Sequence, residues 1–250
     1  MTIAMGGRND EVLAVGVDGC PDGWVAAIAR ADRGVEIKVF RTINDLVREL
    51  RGRGAGVIAV DMPIGLPDTP QLRRCDREAR EVLGKAKSSV FPVPDRELIS
   101  LSTWEEVQEV VAARKQLDPE AKGISKQSYA ISPKIAELDA FVRANPDCHS
   151  YVVEVHPEVS FRAMSDREGE LPKKKSDEGK RARKALLAEH LFGRGGLRHP
   201  GDDMAPSGAN RDDVLDAFAA LWTAQRFLAQ DSFVLGGDLD AHGVPMRMVV

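Results

Sequence analysis

Four aspartates of the sequence have the positions and spacing that a metal-dependent reaction requires. Asp18 and Asp61 each end an apolar run, VLAVGVD and GVIAVD. Asp213 and Asp216 are three residues apart in DDVLDAFAALWTAQRF, so they project from the same face of a helix. Carboxylates that converge on one small volume repel each other, and protons or cations must neutralise them. Oxygen ligands without Cys or His favour Mg²⁺ or Mn²⁺ over zinc.

The elements predicted around these aspartates bring two of them to one edge of a sheet. The amino-terminal part of the chain predicts strands at 12–18, 24–30, 35–40 and 56–61 and a helix at 42–51. The first and last of these strands are apolar throughout, which is typical of a buried parallel pair at the centre of a sheet. Ligands of open α/β sheets collect beyond the carboxyl ends of such strands, where Asp18 and Asp61 stand.

The rest of the chain predicts helices and further strands around the same sheet. The later elements are, in order, a helix from Thr69–Pro70 to Gly84, an inserted, mainly helical region over 85–150, a strand over 151–156, a helix over 212–229 and a short hairpin. Together the elements predict an α/β fold, a mixed sheet flanked by helices, within a single domain over 10–250.

Two further polar residues and one of the aspartates each allow two interpretations. Alternation in the predicted strand YVVEVH places Glu154 and His156 on one face. Glu154 could add a fifth carboxylate and His156 could shuttle a proton or assist a leaving group, or both could be polar residues held at a strand end. Asp213 could bind a metal ion or, as an acidic residue in a first helical turn, complement the helix dipole.

The composition is that of a water-soluble globular protein, with 43% hydrophobic and 30% charged residues. No apolar run approaches the ~18 residues that span a bilayer, so no membrane partner is expected. The amino terminus lacks the pattern of a signal peptide, and the three cysteines form no C-x-x-C, so the expected location is the cytoplasm. The net charge of −4 does not favour non-specific coating of nucleic acid.

Several motifs of the sequence together resemble one known family. In chain order they are G-V-D-G-C-x-x-G-W, D-M-P-I-G-L-P, S-S-V-F-P-V-P, S-K-Q, E-V-H-P-E-V-S-F and D-D-V-L-D-A-F-A-A-L-W-T-A. They span nearly the whole chain, which resembles the prokaryotic domain-of-unknown-function family 429, described as predicted nucleases of ribonuclease H fold. The late D-x-x-D-A also resembles the Holliday-junction-resolvase branch of the ribonuclease H-like superfamily.

The resemblance implies a ribonuclease H-like mixed sheet that carries a metal site. Asp18, Asp61, Asp213 and Asp216 take the metal-binding positions, and Glu154 is an added catalytic candidate. The implied activity is that of a nuclease, the hydrolysis of a phosphodiester by water with Mg²⁺ or Mn²⁺ as cofactor, and nucleic acid is the implied partner. Two such ions can clamp the attacking and leaving oxygens of the displacement.

Basic residues elsewhere in the sequence are candidates for contact with substrate. Lys126, in I-S-K-Q-S-Y, resembles a motif of the family and could neutralise a substrate phosphate or could be an exposed loop lysine. Arg74 follows the second acidic strand and is placed for the same task, as is His156. The basic run over 173–184 predicts either phosphate contact or a solvated helix face.

Two other classes of function stay open from the sequence. A nucleotide-binding phosphotransferase of the actin and sugar-kinase type needs hydroxyl residues in a loop after its first aspartate. The segment Gly19–Gly23 supplies no Ser or Thr. A non-catalytic binding protein could keep the acidic site without turnover and recognise a nucleic acid or a phosphorylated ligand.

Overall fold

The chain forms two compact units in the computed structural model. The model describes residues 11–165, 171–199 and 205–250. The first unit comprises Met1–Asp61, Tyr151–Phe233 and Val249–Val250, and the second comprises Met62–Ser150 and Val234–Met248. The predicted inserted region, 85–150, lies within the second unit, whereas the assignment of 10–250 to one domain stays a prediction.

Seven strands and nine α-helices form in the described residues. In chain order they are β1 (Val12–Cys20), β2 (Gly23–Arg30), β3 (Val35–Phe40), α1 (Ile43–Gly52), β4 (Val57–Val60), α2 (Arg74–Leu83), α3 (Arg96–Ile99), α4 (Trp104–Leu117), α5 (Lys126–Ala130), α6 (Ser132–Ala144), β5 (Val152–Glu154), α7 (Pro157–Met164), α8 (Asp177–His190), α9 (Arg211–Leu228), β6 (Val234–Leu239) and β7 (Pro245–Val249). Short 3₁₀ helices cover Gly84–Ser89 and Pro146–Ser150.

Five strands of the first unit lie side by side in the order β3-β2-β1-β4-β5. β1, β2 and β3 are antiparallel neighbours, whereas β4 pairs with β1, and β5 with β4, in parallel. The predicted α/β fold with a mixed sheet flanked by helices is therefore confirmed. The strand order is consistent with a ribonuclease H-like architecture. β1 and β4 are the parallel pair that their apolar sequences predict.

Helices cover both faces of this five-stranded sheet. Helices α7, α8 and α9 pack together, and α9 lies on β1, β2 and β4. The core on that side takes alternate residues of the strands, among them Ala14, Val25, Ala27, Val57 and Val153, which are all buried. On the other face α1 contacts β2 and β3. Alternation along each strand supplies apolar side chains to both layers, and the sheet is buried on both sides.

The second unit contains α2 to α6, β6 and all of β7 except its last residue. Its first long helix begins at Arg74, so the prediction of a start at Thr69–Pro70 is wrong. The reason is a buried ion pair: Asp76 accepts hydrogen bonds from the Arg73 backbone N–H at 2.7 Å and from its guanidinium at 2.7 and 3.0 Å. A helix cap made by a buried arginine has no sequence signature of the usual kind.

The longest of the described helices, α9, contains 18 residues. No helix in the described parts of the chain is both long and apolar enough to cross a membrane.

Candidate metal centre

Asp18 and Asp61 stand side by side because β1 and β4 run in parallel. In their register Val17 lies opposite Val60, and the Asp61 N–H donates to the Val17 carbonyl at 2.8 Å. β1 does not end at Asp18, as the sequence predicted, but continues to Cys20 in its antiparallel pairing with β2. The carboxylate therefore sits where β1 parts from β4 while the strand itself runs on.

Helix α9 reaches these strand ends because Gly16 of β1 has no side chain. A methyl group at Gly16 would lie 2.1 Å from the carbonyl oxygen of Ala217 and 2.1 Å from the backbone nitrogen of Leu221. Only glycine allows two backbones to meet this closely. Ala217 and Ala220 of the helix are fully buried. The close packing brings Asp216, one residue before Ala217, to the carboxylates at the strand ends.

Three of the predicted aspartates converge in the folded chain. Asp18, Asp61 and Asp216 each offer one carboxylate oxygen, and these oxygens all lie within 4.8 Å of one another. Asp18 and Asp61 are half-buried, and Asp216 is buried with 6% of its surface exposed. The Asp216 Oδ1 atom is buried and has no hydrogen-bond partner among the described residues. A buried acceptor without a partner is costly, so this oxygen is suited to receive a cation.

The cluster is electrostatically strained without a bound cation. Burial raises the pKa of Asp18 well above its ordinary value, and the charges of Asp61, Asp216 and Asp213 raise it further. Burial also raises the pKa of Asp61 well above its ordinary value, with Asp216 as the next cause. Burial raises the pKa of Asp216 to about 6, even though Lys174 pulls it down. Such pKa shifts are typical of a site where a bound positive charge would stabilise the ionised carboxylates.

Lys174 supplies part of that positive charge. Its Nζ donates to the Asp216 Oδ2 atom at 2.5 Å. Burial by itself lowers the pKa of the Lys174 ammonium, but Asp216, Asp61 and Glu158 outweigh it and raise that pKa. The one sequence pattern noted above that includes this residue is the basic run over 173–184. No spacing rule connects Lys174 to Asp216, which lies 42 residues further along the chain.

Asp213 lies beside the cluster but serves the helix as well. Its Oδ2 atom accepts from the Asn210 backbone N–H at 2.9 Å and from the Asn210 side-chain amide at 3.2 Å. This is a capping box at the start of α9. Its charge still raises the pKa of Asp18. Asp213 is therefore not one of the three converging carboxylates, and its role as a metal ligand stays a prediction.

Glu154 and His156 do not share one strand face, because β5 ends at Glu154. Pro157 opens α7, and His156 occupies the position before it, where its carbonyl accepts from the Ser160 N–H at 3.0 Å. Glu154 pairs in register with Val60, is 3% exposed, and its charge raises the pKa of Asp61. Glu154 thus adds negative charge beside Asp61, while the predicted proton-shuttle role of His156 stays a prediction.

Two of the three predicted substrate contacts, Lys126 and Arg74, belong to the second unit, whereas substrate contact by His156 of the first unit stays a prediction. Lys126 is exposed, begins α5, and has its Nζ 5.9 Å from the centre of the Trp104 ring. Arg74 begins α2 and pairs with Glu78 at 2.8 Å and with Asp238 at 3.8 Å. Each therefore has a role inside that unit, and contact with substrate stays a prediction for both.

A second buried ion pair accompanies the cluster and was not foreseen from the sequence. Arg183 of α8 donates from Nε to Glu158 Oε1 at 2.9 Å and from a terminal nitrogen to Oε2 at 2.5 Å. Glu158 raises the pKa of Asp61 and of Asp216. Arg183 lies in the basic run over 173–184, for which the sequence predicts either phosphate contact or a solvated helix face, but its side chain is only 2% exposed.

Comparison with known proteins identifies the family to which the chain belongs. The family model described as "Protein of unknown function (DUF429)" matches residues 16–240. No curated protein and no solved structure matches the chain. The match includes Asp18, Asp61 and Asp216, so the whole cluster lies inside the region that defines the family.

Proposed function

Because this chain belongs to the family "Protein of unknown function (DUF429)", whose description states no reaction, we propose a function from the carboxylate cluster. The proposed function is that of a metal-dependent phosphodiester hydrolase, a nuclease, with Mg²⁺ or Mn²⁺ as its cofactor. The observation that carries the proposal is the meeting of Asp18, Asp61 and Asp216, each with a carboxylate oxygen within 4.8 Å of the other two. Asp216 also has a buried oxygen, Oδ1, without a hydrogen-bond partner among the described residues.

The donor set fits a hard divalent cation. All three converging groups are carboxylates, and Mg²⁺ and Mn²⁺ prefer oxygen ligands. Asp18 and Asp61 are half-buried, which leaves the cluster accessible to a solvated ion. Burial first, and neighbouring carboxylates second, raise the pKa values of all three carboxyls, so a cation would relieve an unfavourable concentration of negative charge.

The roles of the chain's own groups follow from their positions. Asp18, Asp61 and Asp216 would hold the cation, and Asp213 and Glu154 would add negative charge that strengthens its binding. A divalent cation bound there supplies activation of water and neutralisation of phosphate charge. The substrate class is a phosphodiester, because this chemistry suits an anionic centre attacked by water. Nucleic acid is the proposed partner.

The proposal also includes a cytoplasmic location. Cys20, Cys75 and Cys148 are buried and free of disulfides, which suits a reducing compartment.

The test is a cleavage assay with matched variants. The purified chain is incubated with labelled single- and double-stranded DNA and RNA in Mn²⁺, in Mg²⁺ and in EDTA. We expect cleavage only with the metal ions, and its loss in Asp18→Asn and Asp216→Asn. Asp231→Asn is the control, because Asp231 has a side chain 78% exposed and pairs only with Arg226 among the described residues.

Three results would contradict the proposal in different ways. Cleavage that survives both cluster substitutions would place the reaction elsewhere or in a contaminant. ATP turnover in place of nucleic-acid cleavage would favour a phosphotransferase of the kinase type. Binding of nucleic acid without cleavage under any metal condition would indicate a non-catalytic binding protein.

A further inference from the structure

Among the described residues of the candidate metal centre, Lys174 is the one that carries positive charge and faces solvent. Its Nζ lies 2.5 Å from Asp216 Oδ2, and 39% of its side chain is exposed, against 8% for the side chain of Asp216. The ammonium therefore contacts the buried carboxylate while the lysine side chain stays accessible to solvent. An anionic ligand that approaches Asp18 and Asp61 from solvent meets this ammonium as well.

The segment that carries Lys174 is fixed to helix α8. The Arg183 guanidinium donates to the Pro172 carbonyl at 3.0 Å, and the Ser176 hydroxyl to the Lys173 carbonyl at 2.8 Å. A methyl group at Gly179 would lie 2.0 Å from the Lys173 carbonyl oxygen, so the segment and the helix are in backbone contact. The backbone of Lys174 is held on both sides, and its long side chain is the part that can move.

The pair between Lys174 and Asp216 differs from the structural ion pair beside it. In the pair of Arg183 with Glu158, both carboxylate oxygens accept a hydrogen bond and both side chains are at most 9% exposed. In the pair of Lys174 with Asp216, one carboxylate oxygen has no hydrogen-bond partner within the described parts of the chain, and the lysine is partly in solvent. Both carboxylate oxygens of Glu158 are therefore used, whereas Asp216 can still accept a further ligand and the Lys174 side chain can move into solvent.

A divalent cation and an ammonium on one carboxylate repel each other. When a cation binds Asp18, Asp61 and Asp216, the ammonium gains by moving to another anion, and its flexible stem allows the movement. The anion that the proposed function brings to this place is a phosphate group. Lysine binds phosphate as a mobile point charge.

We propose that Lys174 is a substrate-binding residue that contacts a phosphate oxygen, and that its pair with Asp216 is the arrangement of the cluster before a divalent cation binds. This inference rests on the proposed function. It adds a residue that binds the anionic substrate, and it predicts that metal and lysine compete for the same carboxylate. A purely structural lysine would instead support metal binding by holding Asp216 in place.

The test uses two binding measurements that need no turnover. Isothermal titration calorimetry measures the affinity for Mn²⁺. Fluorescence anisotropy, with Mn²⁺ and with EDTA, measures the affinity for a short phosphorothioate oligothymidylate, which resists hydrolysis and keeps its charge. The variants are Lys174→Met and Lys174→Arg, with Lys174→Gln as a second neutral variant should Lys174→Met fold poorly. Lys173→Met and Lys175→Met are matched controls, since both lysines are exposed in the same segment.

We expect loss of the ammonium to affect the two affinities in opposite directions. Lys174→Met binds Mn²⁺ at least about threefold more tightly, because a competing charge is gone. In the presence of Mn²⁺, Lys174→Met binds the oligonucleotide about tenfold more weakly, because it has lost one charge-assisted hydrogen bond to phosphate. Lys174→Arg keeps oligonucleotide affinity within about threefold of the wild type, and each control variant changes either affinity by less than about threefold.

Each other result overturns the inference. Weaker Mn²⁺ binding in Lys174→Met would make the lysine a structural support for Asp216. An unchanged oligonucleotide affinity, or a loss no greater than in the control variants, would exclude phosphate contact. If the wild type binds Mn²⁺ but Lys174→Met behaves in one of these ways, only this inference fails. If the wild type binds no Mn²⁺, the proposed function fails and this inference fails with it.

Discussion

Replacing Asp18 by Asn is expected to stabilise the metal-free protein and to abolish its stabilisation by Mn²⁺. Asn keeps the oxygen that accepts the Gly19 N–H at 2.6 Å, so the local backbone contact survives while one negative charge is lost. The substitution therefore isolates the electrostatic part of the cluster. Most substitutions at buried polar positions destabilise, so a gain here would show that the Asp18 charge is unfavourable, through its burial and through repulsion by Asp61 and Asp216.

The size of the gain follows from the distances. Two unit charges 4.8 Å apart, the upper limit for these oxygens, repel by about 3.5 kcal/mol at an effective dielectric constant of about 20. Partial protonation and the half-exposure of Asp18 reduce this, and about 1–3 kcal/mol is a reasonable expectation. For a chain of this size that corresponds to a rise of roughly 3–8 °C in the unfolding temperature.

Thermal unfolding in EDTA and in Mn²⁺ at about pH 8, above the raised pKa of about 6 of Asp216, measures both effects. Mn²⁺ at about 100 times its dissociation constant adds about 2.7 kcal/mol to the wild type, and little to Asp18→Asn. Asp231→Asn, far more exposed, should follow the wild type in both buffers. A lower unfolding temperature for Asp18→Asn in EDTA would refute the repulsion. Equal stabilisation of both proteins by Mn²⁺ would show that Asp18 is not a ligand.

Two further predictions concern the same site and the packing that forms it. The pKa of Asp216 rises from 3.8 to about 6, so the folded metal-free chain binds an extra proton between these values and loses stability as pH rises through them. In EDTA, the free energy of unfolding of the wild type, measured in urea relative to Asp216→Asn, should fall by about 3 kcal/mol across this pH window. A difference between the two proteins that does not change with pH would contradict the pKa shift. Gly16→Ala should cost about 3 kcal/mol or more, because its methyl group meets the α9 backbone at 2.1 Å. Gly52→Ala, with open space around the position, should be neutral or slightly stabilising in the same urea assay.

The sequence predicted the part of the site that follows from regular structure. Apolar runs that end in Asp18 and Asp61 indicate parallel strands, and parallel strands align their carboxyl ends. The spacing of Asp213 and Asp216 on one helix face left two candidates for a third carboxylate. The structure brings Asp216 into the cluster and gives Asp213 a hydrogen bond to the helix cap at Asn210. The first-turn position already allowed a capping role for Asp213 and not for Asp216, and the tertiary packing separates the two.

The parts that escaped prediction depend on contacts between segments with no periodic pattern. Lys174 and Arg183 lie in one run of basic residues and have opposite environments: 39% of one side chain is exposed, against 2% of the other. Basic runs are mostly solvated, so composition alone assigns both to the surface. The start of α2 was missed for a related reason, because the buried pair of Arg73 with Asp76 sets it.

The three carboxylates of the cluster come from separate segments of the chain, and bringing their charges together on folding costs free energy. Asp18 and Asp61 are fixed by the register of β1 and β4, and Asp216 by the contact of α9 with Gly16. In the unfolded chain these charges are far apart and do not repel, so folding itself assembles an unfavourable concentration of negative charge. The core of the first unit has to offset that cost in the absence of metal, with one ammonium as partial compensation. A divalent cation that binds only the folded chain offsets part of that cost, so the stability of the folded chain should rise with the concentration of the cation.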